Sequence, residues 1–147
     1  MSYITNTDIE VRLGNATYVQ LADDDGDGVA DAAVVDEARL AAEGEVDSYL
    51  ALRHATPVDL AVHPELAGLL KGISLDLAEF RLRLRRPPVA EDARRRRDQT
   101  IEWLRGLADG TVALPSLAAV QTTAARGTIA KAIGAKRMLS RDELETH

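Results

Sequence analysis

The strongest constraint on the fold is an apolar stripe with helical spacing between two proline-containing breaks. The stripe comprises Leu66, Leu69, Leu70, Ile73, Leu77, Phe80 and Leu84. Pro64 suits the first turn of a helix, and Pro87-Pro88 cannot continue one. Because residues three and four apart share one face of a helix, the pattern predicts a long amphipathic helix at the centre of the core.

Similar spacing predicts three further helices: a short one from Thr5 to Gly14, a long one from Asp31 to about Arg53, and one from Ala90 to Gly110. The chain is 46% hydrophobic but only 3% aromatic, which favours closely packed aliphatic helices over sheets. We therefore predict an all-α bundle of about four main helices, with an acidic loop before the second helix and an extended C-terminal arm.

We predict that the chain consists of a helical domain over residues 1–115 and an arm over residues 116–147. Thr111 to Leu114 is expected to be a short extended piece that leads into the arm. The arm is rich in Ala, Thr and Gly and has few large apolar residues, so it has little means of folding alone. We expect it to dock on a partner.

Composition excludes several classes of protein. The chain has no cysteine, which removes disulfides, thiolate nucleophiles and Cys-ligated metals. No stretch approaches the roughly 20 apolar residues of a membrane span. The three histidines are scattered, and neither a nucleophile elbow nor a glycine-rich phosphate loop is present. We predict no catalytic residues, no required cofactor and no membrane partner: the protein is not expected to be an enzyme.

The sharpest local motif is an acidic loop that resembles a calcium-binding loop. Counting from Asp23, carboxylates occupy positions one, three, five and nine, a glycine occupies position six, and a backbone carbonyl is available at position seven. The candidate calcium ligands are therefore Asp23, Asp25, Asp27, Val29 and Asp31. Position twelve is Val34 instead of the usual glutamate. The alternative is a solvated loop that places negative charge at the start of the next helix.

Basic residues are clustered in the second half of the chain. The candidate interaction residues are Arg94, Arg95, Arg96, Lys131, Lys136 and Arg137. One interpretation is contact with phosphates. The favoured alternative is that the arginines are solvated and pair with acids of the same chain or a neighbouring subunit, because consecutive residues point in different directions from a helix and the net charge is −6.

The order of these motifs resembles a Mu-like family of small tailed-phage proteins. The resemblance rests on Met1 to Thr5 with Arg12-Leu13-Gly14, the loop from Asp23 to Asp31, Val46 to Leu50 with Arg53-His54, Leu75 to Ala78, and Trp103-Leu104 with the exit at Gly110 to Leu114. It covers residues 1–115 and not the tail. His54 departs from the family pattern, where an aromatic residue is common.

The resemblance implies a head-tail connector adaptor, a structural protein in the neck of the virion that is present in the host cytoplasm during assembly. It implies a ring of about twelve copies beneath the portal protein, contact with a neck or tail protein, and genomic DNA passing through the channel. Two alternatives stay open: a calcium-stabilised interaction module outside the virion, and a small DNA-binding regulator, which the acidic net charge disfavours.

Overall fold

The computed structural model describes residues 2–114 and 116–117, and these residues form a helical bundle. The elements are α1 (Asn6–Leu13), α2 (Asn15–Ala22), α3 (Ala32–Leu50), a 3-10 turn (Pro64–Leu66), α4 (Ala67–Leu84) and α5 (Glu91–Asp109). No strand occurs in this part of the chain. The all-α prediction is confirmed. Among the same residues, no helix is both long and apolar enough to cross a bilayer.

The N-terminal region forms two short helices, so the described bundle has five α-helices and the acidic loop precedes the third. Thr5 caps α1: its hydroxyl accepts from the Asp8 N–H at 3.2 Å, and the Asp8 carboxylate accepts from the Thr5 N–H at 2.9 Å. Gly14 ends α1 at φ 77°, in a region where glycine has no steric penalty. The chain therefore turns sharply there and α2 begins at the next residue.

Helices α3 and α4 are both central, because each of them contacts all four other helices. The predicted stripe is buried at Leu66, Leu70, Ile73 and Leu77. It is wrong at two positions, since Leu69 is 39% exposed and Leu84 is 54% exposed. Conversely, the core also contains residues that the stripe omitted, namely Leu75, Ala78 and Leu82. A helix with neighbours on several sides buries more than one face, and a single apolar stripe in the sequence predicts only one of these faces.

The C-terminal part of the bundle ends in a turn and not in the predicted extended piece. Gly110 stops α5 in the left-handed conformation, at φ 81°. The Val112 N–H then donates to the carbonyl of Gly106 at 2.9 Å, which folds the chain back, and Leu114 is buried. Leu117 still packs against the core. The rest of the predicted arm, including Lys131, Lys136 and Arg137, lies outside the described residues.

Candidate functional site

The acidic loop is closed at its base by the backbone of α2. The Asp31 N–H donates to the carbonyl of Ala22 at 3.0 Å, which brings the last residue before α3 next to the last residue of α2. Gly26 and Gly28 both have φ near +80°, so the loop contains two positions that favour glycine. The loop is thus tightly folded between two helix ends.

Three of the predicted ligands converge. Carboxylate oxygens of Asp23, Asp25 and Asp27 lie within 4.8 Å of one another, and among the described residues this is the only such group of three or more carboxylate or histidine side chains. The Asp23 carboxylate also accepts from the N–H groups of Gly26 and Gly28, at 2.7 and 3.0 Å. Oxygen atoms arranged in this way suit a hard cation such as Ca²⁺.

The pKa values of Asp23 and Asp25 are shifted in opposite directions. Desolvation raises the pKa of Asp23, but hydrogen bonds with the N–H groups of Gly26, Gly28 and Asp27 and with the Asp25 side chain together leave that pKa below its usual value. The Asp27 N–H lowers the pKa of Asp25, yet repulsion from the Asp27 carboxylate, desolvation and the charge of Asp31 together raise it above the usual value. The three negative charges therefore repel one another, which a bound cation would relieve.

The other two predicted ligands are not part of the group of three. The Asp31 carboxylate accepts from the Asp24 N–H at 2.8 Å. Val29 donates its backbone N–H to the Asp27 carboxylate at 2.8 Å, and its side chain is exposed. The structure thus gathers Asp23, Asp25 and Asp27 around one point and uses Asp31 to fix the beginning of the loop.

The remaining aspartate of the loop, Asp24, anchors it to the end of α4. Its carboxylate forms ion pairs with Arg85 and, at 3.5 Å, with Arg86. The same two guanidinium groups donate to backbone carbonyls, Arg85 to Leu21 at 2.9 Å and Arg86 to Asp23 at 3.0 Å. The acidic and basic regions that stand apart in the sequence therefore meet within one chain.

The arginine cluster on α5 divides into two sets. Within the described part of the chain, Arg94 and Arg95 are exposed and form no ion pair, whereas Arg96 binds the buried Glu79 carboxylate at 2.9 Å. Arg97 pairs with Asp98 at 3.2 Å and lies over the ring of Phe80. Arg96 and Arg97 therefore pair with acids of the same chain, as the favoured alternative predicts. Arg94 and Arg95 face solvent.

Glu79 is the centre of an ion-pair cluster that the sequence analysis missed. Its carboxylate is 6% exposed and accepts from Arg83 at 2.8 Å and Arg96 at 2.9 Å, with Arg12 at 3.4 Å. Arg12 also pairs with Asp76, one turn earlier on α4. The cluster therefore joins α1, α4 and α5. The only local signal for it is the i,i+4 spacing of Glu79 and Arg83.

A second buried carboxylate, also missed, holds the N-terminal segment on α3. Glu43 accepts from the Ser2 hydroxyl at 2.7 Å and from the N–H groups of Tyr3 and Ile4 at 2.7 and 3.0 Å. The Tyr3 hydroxyl donates to Asp47 and accepts from a loop N–H at 2.9 Å. Burial and the Asp47 carboxylate both raise the pKa of Tyr3, so its phenol stays protonated. Residues 2–4 are thereby integral to the bundle.

Both buried carboxylates accept hydrogen bonds from several donors of the same chain. Of the described histidines, His63 lies beside Glu65 at 3.5 Å and His54 is buried. The fold and its polar groups define a small all-α protein whose charged residues connect helices to one another.

Comparison with protein families identifies the chain more closely. It matches the family described as bacteriophage Mu, Gp36, over residues 3–132, and it belongs to that family. It is therefore a phage protein. The match reaches residue 132, so the expectation that the resemblance stops at residue 115 is wrong and the first part of the tail shares the family pattern. No curated protein matches the chain.

Proposed function

We propose that the protein is a structural virion protein, a head-tail connector adaptor that forms a ring beneath the portal and links it to the neck or tail. The observation that carries this proposal is membership of the bacteriophage Mu Gp36 family over residues 3–132, combined with the resemblance of that family to helical adaptors. A ring of about twelve copies would extend the channel through which the genomic DNA passes. No reaction is proposed, and calcium would be a structural ion only.

The polar interior supports a mechanical role. The carboxylates of Glu43 and Glu79, both mostly buried, each bind several donors from other segments. Such networks fix the relative positions of helices, because a partner removed from a buried pair leaves an uncompensated charge. A rigid subunit of this kind transmits force between two neighbouring rings without changing its fold.

For contact between subunits, we propose the unpaired cations on α5. Arg94 and Arg95 are exposed and form no ion pair within the described chain, whereas the converging aspartates of the acidic loop carry unbalanced negative charge. In a closed ring the two sides of each subunit differ, so a basic patch on one side can meet an acidic patch on the next copy. This arrangement would set the register of the ring.

The proposed subunit contact is tested by charge reversal. Arg94→Glu combined with Arg95→Glu should abolish ring formation on the portal, while Arg105→Glu, about 15 Å further along the same helix, serves as the matched control. Arg105 is also exposed and without an ion pair in the described residues. Rings of normal size from the double variant, seen by negative-stain electron microscopy, would refute this interface.

For contact with the portal, we propose the C-terminal arm, residues 116–147, with Lys136 and Arg137 as the residues that bind. Removing the arm should abolish co-sedimentation with the portal protein while the helical circular dichroism signal is retained. Co-sedimentation of the shortened chain would refute the role of the arm.

The connector role as a whole is tested in the phage. A phage that lacks this gene should produce filled or leaking heads separated from finished tails in electron micrographs of lysates. Normal virions from that phage would refute the proposal.

A further inference from the structure

A groove of about 240 Å³ runs between α4 and α5. Its lining combines the apolar residues Leu69, Ile73 and Trp103 with the polar residues Asp76, Arg96, Gln99 and Thr100. Leu69 is 39% exposed, and Trp103, the only tryptophan of the chain, is partly exposed. An exposed leucine and a partly exposed tryptophan in one concave surface form the kind of apolar patch that proteins normally cover.

The chain leaves the described bundle near the N-terminal end of α4, one helical turn before Leu69 of the groove. The Ser116 hydroxyl donates to the carboxylate of Glu65, which lies in the 3-10 turn directly before α4. Glu65, Leu69, Ile73 and Asp76 are spaced by four, four and three residues, so they lie along one face. The contact between Ser116 and Glu65 thus places the start of the following segment at one end of the line of residues that floors the groove.

We infer that residues 118–132 of the same chain dock in this groove and cover Leu69 and Trp103. The segment begins within one residue of Leu117, which packs against the core. The family match ends at residue 132, so this stretch shares the family pattern with the bundle itself. The inference does not depend on the proposed connector role, and it leaves residues 133–147 available for a partner.

The length of the segment is sufficient for this contact. The distance along the helix axis from Glu65 to Asp76 is about 16 Å, at a rise of about 1.5 Å per residue. Fifteen residues cover about 22 Å even at that rise, and more if they are extended. The occupant therefore reaches the far end of the groove either as a helix or as an extended chain.

The composition of the segment suits a groove of mixed apolar and polar lining on an acidic bundle. Residues 118–132 include six alanines and three threonines, with Val120 and Ile129 as the large apolar side chains. They carry two basic residues and no acidic one, whereas residues 1–117 carry 21 acidic and 13 basic residues. Small side chains permit close approach to the groove floor, and the opposite net charges favour association.

Contact quenching by the single tryptophan tests this inference in the full-length protein. Because the chain has no cysteine, Ala125→Cys gives one site for a bimane label, whose emission Trp103 quenches at short range. The expected result is weaker emission from this label than from the same label in an Ala125→Cys, Trp103→Phe protein. Leu69→Lys should restore the emission, since it places a charge in the groove at an exposed position. A label at Thr146→Cys is the control and should not respond to either substitution.

The result must be independent of protein concentration, because the proposed occupant belongs to the same chain. Equal emission with and without Trp103 would overturn the inference. Quenching that disappears on dilution would also overturn it, because it would show that the segment docks on a second copy of the chain. Acrylamide quenching of unlabelled protein gives a second readout that does not need the Trp103→Phe variant. Trp103 should become more accessible to acrylamide in Leu69→Lys, and unchanged accessibility would also contradict the docking.

Discussion

Replacing Glu79 by glutamine should destabilise the bundle by about 2 kcal/mol, because hydrogen bonds to a charged group are worth about 1 kcal/mol more than neutral ones and two short bonds are affected. Those bonds are the contacts with Arg83 and Arg96 at 2.8 and 2.9 Å. The Glu79 side chain is 6% exposed, so water cannot reach this position to replace the weakened hydrogen bonds. The arginine side chains are 30% and 43% exposed and rehydrate in part, which keeps the loss below the roughly 3–5 kcal/mol of a fully buried pair.

The assay is two-state thermal and urea unfolding of the full-length chain. For a body of this size, about 2 kcal/mol corresponds to a fall in Tm of about 8 °C. Asp98→Asn is the matched control, because Asp98 also pairs with an arginine but its side chain is 71% exposed, so no measurable loss is expected. Equal stability of Glu79→Gln and the wild type, or an equal loss from Asp98→Asn, would refute the assignment of this cluster as a structural centre.

Three further experiments test other parts of the bundle. Gly110→Ala should cost at least about 1 kcal/mol in urea unfolding, because the residue is left-handed and a Cβ there would overlap the Arg53 guanidinium; a neutral effect would contradict this C-cap. Tyr3→Phe should cost about 1–3 kcal/mol by the same measurement, because a buried loop N–H loses its acceptor; no loss would show that the N-terminal segment is not held as described. Calcium on the order of millimolar should raise the Tm of the wild type and of Asp24→Asn but not of Asp25→Asn; the absence of any calcium-dependent shift in the wild type would reject the metal site.

Four of the five described helices, namely α1, α3, α4 and α5, could be predicted from the sequence because their signals are local. The threonine cap before α1, the prolines on either side of α4 and Gly110 after α5 each act on the neighbouring residues. The exposure of Leu69 and Leu84 could not be predicted in this way. Periodicity identifies one face of a helix, but the number of neighbours that cover it depends on how the whole bundle packs.

The candidate site shows the same division. The convergence of Asp23, Asp25 and Asp27 follows from loop spacing over a few residues, and the structure reproduces it. Glu43 and Glu79 could not be identified, because Glu43 binds residues about 40 positions away and Glu79 binds Arg96 across 17. With 24 acidic and 18 basic residues in the chain, the sequence offers many equivalent pairings, and only packing selects among them.

The central position of α4 also affects how the chain is made. Synthesis proceeds from the N-terminus, so α1, α2 and α3 emerge from the ribosome before the helix on which all three pack. Until Leu84 has left the exit tunnel, the surfaces of α1, α2 and α3 that pack on α4 have no permanent cover, although these three helices already contact one another. Cotranslational folding of this protein therefore cannot be completed before α4 has emerged. A nascent chain stalled before Leu84 exposes an aggregation-prone surface.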